Sequence, residues 1–199
     1  TGKNLTIPAD QSGMSSNAKT LAAKMYMGWN LGNTLEATGG ETAWGNPVVT
    51  QTFIDSVKAA GFNTVRIPCA WNSHLETGTT NQIKSTWLAR VKEVVGYCVK
   101  NDMYVILNIH WDGGWLEENP TYAKQVEVNA KQKAFWEQIA VTMRDFDEHL
   151  LFAGTNEVHS GYGNPTTENI IVQLSYNQTF VDAVRSTGGR NTYRNLVIQ

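Results

Sequence analysis

Short apolar runs alternate with longer amphipathic stretches along this chain, the pattern of βαβ units that build a parallel sheet. The runs predict strands at Met27 to Leu31, Thr64 to Ala70, Tyr104 to His110, Leu150 to Glu157 and Asn195 to Gln199. Between them lie four stretches of helical period. The first carries Phe53, Ile54, Val57 and Ala60, and the second Leu88, Val91, Val94, Val95, Cys98 and Val99. The third carries Phe135, Ile139 and Met143, and the fourth Ile170, Leu174, Val181 and Val184. Each offers one apolar stripe to the sheet. Asn46-Pro47 is expected to open the first helix and Gly61 to end it, while Gly188-Gly189 ends the fourth.

Strand starts recur about every 42 residues, so eight such units would need on the order of 330 residues, against about 250 for an economical eight-stranded α/β barrel. Only five strands fit in 199 residues, and the last, NLVIQ, runs to the end of the chain with no helix after it. This reads as part of a larger fold, since an uncovered parallel edge is an aggregation hazard. A compact five-stranded doubly wound domain is the alternative. Cys69 and Cys98 fall at opposite ends of one βα unit, too far apart for a disulfide, and read as free core thiols.

Composition narrows the function. A net charge of −2 without a basic cluster gives no footprint for nucleic acid, and no apolar run approaches the roughly 20 residues of a membrane span. The polar start, TGKNLTIPADQSGMSS, is not that of a signal peptide. Seven tryptophans are the informative excess. In parallel α/β folds chemistry gathers at the carboxyl ends of strands, and here those ends read GWNLGNTLE, VRIPCAW, LNIHWDGGW and AGTNEVHSGYG. Asn30, Arg66, His110, Asn156 and Glu157 would then share one rim. Strand alternation turns Arg66 away from Val65 and Ile67, and a buried guanidinium needs a partner, expected to be a carboxylate at the same rim. Amides, an imidazole and an acid ringed by tryptophan suit a sugar polymer, whose ring faces stack on aromatics. Glu157 is the candidate acid for glycosidic cleavage, with Asn156 placed to hold a sugar 2-hydroxyl.

The blocks MGWNLGNTLEATGGETAWGNP, FNTVRIPCAWNSHLE, YVILNIHWDGGWLEE, FWEQIA and DEHLLFAGTNEV resemble glycoside hydrolase family 5, most of all its subfamily 4 of endo-β-1,4-glucanases and xyloglucanases. The resemblance runs from about Ala22 to the last residue. It implies the N-terminal part of a TIM (β/α)8 barrel, residues 22–199, cut after the fifth strand, with residues 1–21 as an N-terminal extension. It implies hydrolysis of β-1,4-linked glucan (cellulose, mixed-linkage glucan or xyloglucan) with retention of anomeric configuration, no cofactor and no metal. The enzyme would be secreted or held at the surface or periplasm of a bacterium. By the same resemblance Glu157 is the acid/base, Asn156 the asparagine before it, His110 the histidine ending the third strand, and Arg66 the arginine that holds the nucleophile. Asn30 would contact sugar on the non-reducing side.

Two positions depart from the family. Val158 stands where a proline is usual, and Trp111 where a second histidine often sits. The family's nucleophilic glutamate ends a seventh strand, so it belongs to a C-terminal half, present as a further segment or a separate chain. Trp111, Trp115 and Tyr162 are candidate sugar platforms, and Trp29, Trp87 and Trp136 packing residues. Asp112, Glu36 and Glu41 are weak candidates for the nucleophile. A metal-dependent hydrolase built on His74, His110, Asp112 and His159 is a lesser alternative, as no ligand spacing supports it. A non-catalytic glucan-binding half barrel presenting Trp44, Trp111, Trp115 and Tyr162 is the other.

Overall fold

Five parallel strands lie side by side in chain order in the computed structural model, which describes residues 5–161 and 163–199. They are β2 (Gly28–Asn30), β3 (Thr64–Ile67), β4 (Tyr104–Asn108), β5 (Leu150–Ala153) and β7 (Leu196–Val197). The helices are α1 (Ala18–Lys24), α2 (Gln51–Ala59), α3 (Ser85–Lys100), α4 (Tyr122–Met143) and α5 (Thr167–Ser186). A separate two-stranded pairing joins β1 (Ile7–Ala9) to β6 (Gly188–Gly189). Among the described residues no helix is long and apolar enough to cross a membrane.

The order β2-β3-β4-β5-β7 never reverses. Right-handed crossovers that always step in one direction leave every helix on the same face, as in a section of a (β/α)8 barrel, whereas a doubly wound sheet needs a reversal. The doubly wound alternative is therefore excluded. Strand registry shows the two faces directly. Val65, Val105 and Leu150 align, as do Ile67, Leu107 and Phe152 through their ladders, and all six are buried against the helices. There they meet Ile54, Val57, Val91, Val95, Phe135, Ile139, Phe180 and Val184. The opposite face carries Asn30, Arg66, Ile106 and Leu151 in one row. Cys69 and Cys98 are both buried free thiols, as expected.

Three local expectations need correction. Thr50, not Asn46, caps α2: its hydroxyl accepts from Phe53 N at 3.2 Å, while Asn46 Nδ2 donates to Gly32 O and leaves Pro47 in the loop. On α5 Val184 is buried and Val181 packs on the core as expected, but the rest of the buried face is Val172, Tyr176, Phe180 and Ala183, and Ile170 and Leu174 are 50 % and 59 % exposed. Apolar residues fill two adjacent rows of that helix, and a period of 3.6 does not say which row meets the sheet. Gly188 and Gly189 follow the end of α5 but form β6 rather than a plain stop. Gly188 has φ +66, and a Cβ there would lie 1.9 Å from Ile7 O, so only glycine lets β1 pair so closely.

The N-terminal segment is tied to the strand bottoms by Glu148. Its carboxylate accepts from Ser15 N (2.9 Å), Ser16 N (2.8 Å), Ser16 Oγ (2.8 Å) and Lys24 Nζ (2.7 Å). Burial alone would raise its pKa, but the bonds from Lys24 and Ser16 outweigh it and hold the group down at about 2, below its ordinary 4.5. A depressed folded-state value gives stability that is complete above pH 4.5 and is lost as pH falls toward 2. Solvent screens the 44 % exposed Lys24 side chain, which reduces the effect to roughly 1–2 kcal/mol. Glu148→Gln is expected to lower the melting temperature at pH 7 and to narrow the gap to the parent between pH 4.5 and 2. Parallel melting curves across that range would refute the assignment.

Candidate functional site

Strands β2 and β3 and the loops after β4 and β5 bring four polar side chains to one rim. Asn30 is the last residue of β2 and pairs in register with Arg66 of β3, so both project from the same face. Arg66 Nη1 donates to Asn30 Oδ1 at 2.8 Å, and Nη2 donates to Asn156 Oδ1. Nη2 also lies 3.5 Å from His110 Nδ1. The expected carboxylate partner is absent among the described residues; two amide oxygens take its place. They satisfy the fork of the guanidinium without neutralising it, so its charge stays available to an incoming anion.

The protonation of His110 follows from its neighbours. Arg66 has only donors, and Asn108 turns its Nδ2 to the same His110 Nδ1 at 3.3 Å because its Oδ1 accepts from Cys69 N at 3.2 Å. Nδ1 must therefore accept, and the ring proton sits on Nε2. Burial first and the Arg66 charge second hold the pKa of His110 below the usual histidine value, which keeps the ring neutral near pH 7. Its partner Asn108 is buried at the end of β4, a functional residue that strand periodicity alone reads as core.

The loop after β5 begins at Gly154, where a Cβ would lie 2.5 Å from the Phe180 ring, so a bare backbone lets the strand leave over α5. Asn156 is then gripped by Arg66, and Glu157 follows with an exposed side chain. The backbone N–H of Glu157 donates to Glu117 Oε1 at 3.2 Å, and Val158 N donates to Gln199 Oε1 at 3.3 Å. Glu117 is buried and was not singled out by sequence, since nothing in the run WLEE separates it from Glu118.

Of the aromatic candidates, Trp111 is 42 % exposed beyond β4 and its Nε1 donates to Glu118 Oε1 at 2.8 Å. Trp44 is similarly exposed. Trp115 is not free: its ring is wedged edge-on against Phe135 at 5.3 Å, with Lys131 Nζ 4.6 Å from its centroid, and it packs on both apolar clusters. Its role as a platform is withdrawn in favour of packing. Tyr162 lies outside the described residues. Trp87 and Trp136 are buried, and Trp29 packs its edge against Phe53.

The weaker carboxylates all hold loops. Asp112 accepts from Trp71 N (2.7 Å), Asn72 N, Ser73 N (3.2 Å) and Ser73 Oγ (2.6 Å), fixing the turn after β3. Glu36 accepts from Asn33 N and Thr34 N, and Glu41 takes Arg90 in a two-pronged pair. His74 stacks on Trp87 at 3.6 Å, and burial followed by the Lys84 charge pushes its pKa down to about 4. His159 Nδ1 accepts from Gly161 N at 3.1 Å. Engaged in these separate contacts, His74, His110, Asp112 and His159 do not converge as a ligand set among the described residues.

Comparison with known proteins agrees with the barrel section. The model of the cellulases, glycosyl hydrolase family 5, matches residues 30–199. A xyloglucan-specific endo-β-1,4-glucanase of Bacteroides ovatus is 44 % identical over 206 residues, covering 97 % of this chain and 41 % of that protein. The solved structure of a Bacteroides ovatus GH5 xyloglucanase in complex with a XXXG heptasaccharide superposes with a TM-score of 0.93 at 42 % identity, over 98 % of this chain and 45 % of that one. A GH5-4 broad specificity endoglucanase from Ruminococcus champanellensis with bound cellotriose gives 0.84 at 44 % identity, over 91 % of this chain and 56 % of that one. The chain thus spans about half the length of the relatives it matches.

Proposed function

Because this chain belongs to glycosyl hydrolase family 5, we propose that it is the acid-bearing part of a retaining endo-β-1,4-glucanase acting on cellulose, mixed-linkage glucan or xyloglucan. On this reading residues 22–199 are the N-terminal portion of the catalytic barrel and residues 1–21 an extension. The observation that carries it is the single guanidinium of Arg66 joining Asn30 and Asn156, beside a neutral His110 and immediately before Glu157.

Glu157 protonates the departing glycosidic oxygen while a second carboxylate, from the part of the barrel beyond this chain, attacks the anomeric carbon from the other side. The two carboxyl groups would stand about 5–5.5 Å apart. Glu157 then takes a proton from water as that water releases the glycosyl intermediate. Arg66, with only neutral partners here, supplies the positive charge that orients the nucleophile. Asn156 is held so that its amide NH₂ faces the sugar 2-hydroxyl, and the Nε2–H of His110 offers a donor to the same sugar. Asn30 reads hydroxyls toward the non-reducing end, and Trp111 gives a stacking face. The 199-residue chain alone, without that second carboxylate, is expected not to turn glucan over. A polymer too large to enter a cell places the intact enzyme outside the cytoplasm, secreted or at the bacterial surface or periplasm.

Proton NMR of the intact enzyme digesting cellohexaose tests the reaction class. The β-anomer of each new reducing end is expected first, with the α-anomer growing only by mutarotation. Initial release of the α-anomer would exclude double displacement.

A further inference from the structure

Glu117 is a buried carboxylate whose position the glycosidase reading does not use. Its Oε1 accepts the N–H of Glu157 at 3.2 Å, and its backbone carbonyl accepts the N–H of His159 at 2.8 Å. One residue therefore holds the chain on both sides of Val158. The neighbouring Leu116 and Val158 join the same apolar cluster with Val172 and Tyr176, which zips the two loops together. Among the described residues no lysine or arginine pairs with Glu117. A neutral glutamine would satisfy the same amide, and burying a carboxylate in its stead carries a desolvation cost.

We propose that Glu117 is a positioning residue for the catalytic acid: its side-chain oxygen fixes the peptide plane of Glu157 and its carbonyl fixes that of His159, so that the Glu157 carboxyl points at the glycosidic oxygen. This rests on the assignment of Glu157 as acid/base. Arg66 restrains the preceding side chain, Asn156, and Gln199 the N–H of Val158, so the acid is approached from three directions, and among the described residues Glu117 is the one whose side chain reaches its backbone N–H. The charged groups around the site are Arg66, Glu36, Glu117 and Glu157, all of which act on His110.

The test uses the intact enzyme and two aryl β-cellobiosides, one with phenol and one with 2,4-dinitrophenol as leaving group. Phenol departs only with protonation, whereas dinitrophenolate needs none, so kcat/KM on the pair isolates the acid step. Glu117→Ala is expected to lose roughly ten- to a hundredfold on the phenyl substrate and to stay within about threefold on the dinitrophenyl one. Glu117→Gln keeps the acceptor oxygen and is expected within about threefold of the parent on both. Should Glu117→Ala fail to fold, Glu117→Met, close in volume and without an oxygen, carries the same expectation. Equal losses on both substrates, no loss on either, or Glu117→Gln as impaired as Glu117→Ala would each overturn the proposal. Glu157→Gln measured alongside separates the two readings. A leaving-group dependence in Glu157→Gln but not in Glu117→Ala defeats this inference alone, and its absence in Glu157→Gln defeats both.

Discussion

On the proposed function, replacing Glu157 by glutamine in the intact enzyme is expected to lower turnover of xyloglucan or mixed-linkage glucan by roughly 10²- to 10⁴-fold, the usual contribution of a positioned general acid. Glutamine matches the side chain in size and cannot give up a proton to a sugar alkoxide. The loss is catalytic rather than structural, because the fold holds this residue through its backbone N–H to Glu117 and leaves the carboxyl exposed. An unchanged melting temperature should accompany the loss. Glu157 is also needed to activate water in the second step, so added azide, which requires no base, should restore part of the turnover on an activated substrate and yield a β-glycosyl azide. Near-normal cleavage of a natural glucan by the variant would remove Glu157 from the acid role and with it the proposed function.

The largest expected loss of stability is at Arg194. Its guanidinium is fully buried and donates to Asn191 Oδ1 (2.8 Å) and to the carbonyls of Phe146 (2.7 Å), Asp147 (2.9 Å) and Leu150 (2.6 Å). It also lies 5.1 Å from the centre of the Phe152 ring. These carbonyls belong to the turn that enters β5, so Arg194 fastens β7 to the strand whose far end carries Asn156 and Glu157. Arg194→Met preserves much of the volume but takes the donor from Asn191 Oδ1 and from the carbonyls of Phe146 and Leu150, each costing about 1–3 kcal/mol, while Asp147 O keeps the N–H of Leu150. The total expected is about 4 kcal/mol or more, among the most damaging of single substitutions. Urea unfolding of parent and variant reads it directly, and a change below about 1 kcal/mol would show that water replaces the guanidinium at little cost.

β3, β4 and β5 were legible because each is a short apolar run buried on its helix-facing side, where sequence pattern and burial coincide, and β2 and β7, which are only partly buried, by their place in the repeat. β1, α1 and β6 were not. β1 is exposed along its length, α1 buries only Leu21, and β6 is two glycines, so hydrophobic pattern is absent where backbone pairing decides the structure. At the site, the placing of Asn30, Arg66, His110 and Asn156 on one rim followed from strand ends, and the structure brings them together. Charge complementarity suggested a carboxylate for Arg66; among the described residues two amide oxygens occupy its fork, and the carboxylate that the proposed function assigns to it belongs to the part of the barrel beyond this chain. Trp111 and Trp115 follow the same strand and look alike in sequence, yet Trp115 packs its ring against Phe135 of α4 while Trp111 stays exposed. Asp112, Glu36 and Glu41 show that a carboxylate after a strand is as readily a cap for loop amides as a chemical group.

The pairing of Ile7 with Gly188 has a consequence for synthesis. At roughly 5–20 residues per second, a ribosome delivers Gly188 some 10–40 seconds after Ile7. Over that interval β2, β3 and β4 can dock as they emerge, each beside the one before, while the first segment has neither Glu148 nor the two glycines to receive it. The pairing that receives the first segment is therefore made only after β2, β3 and β4 have emerged, and until then the residues of β1 have no partner strand.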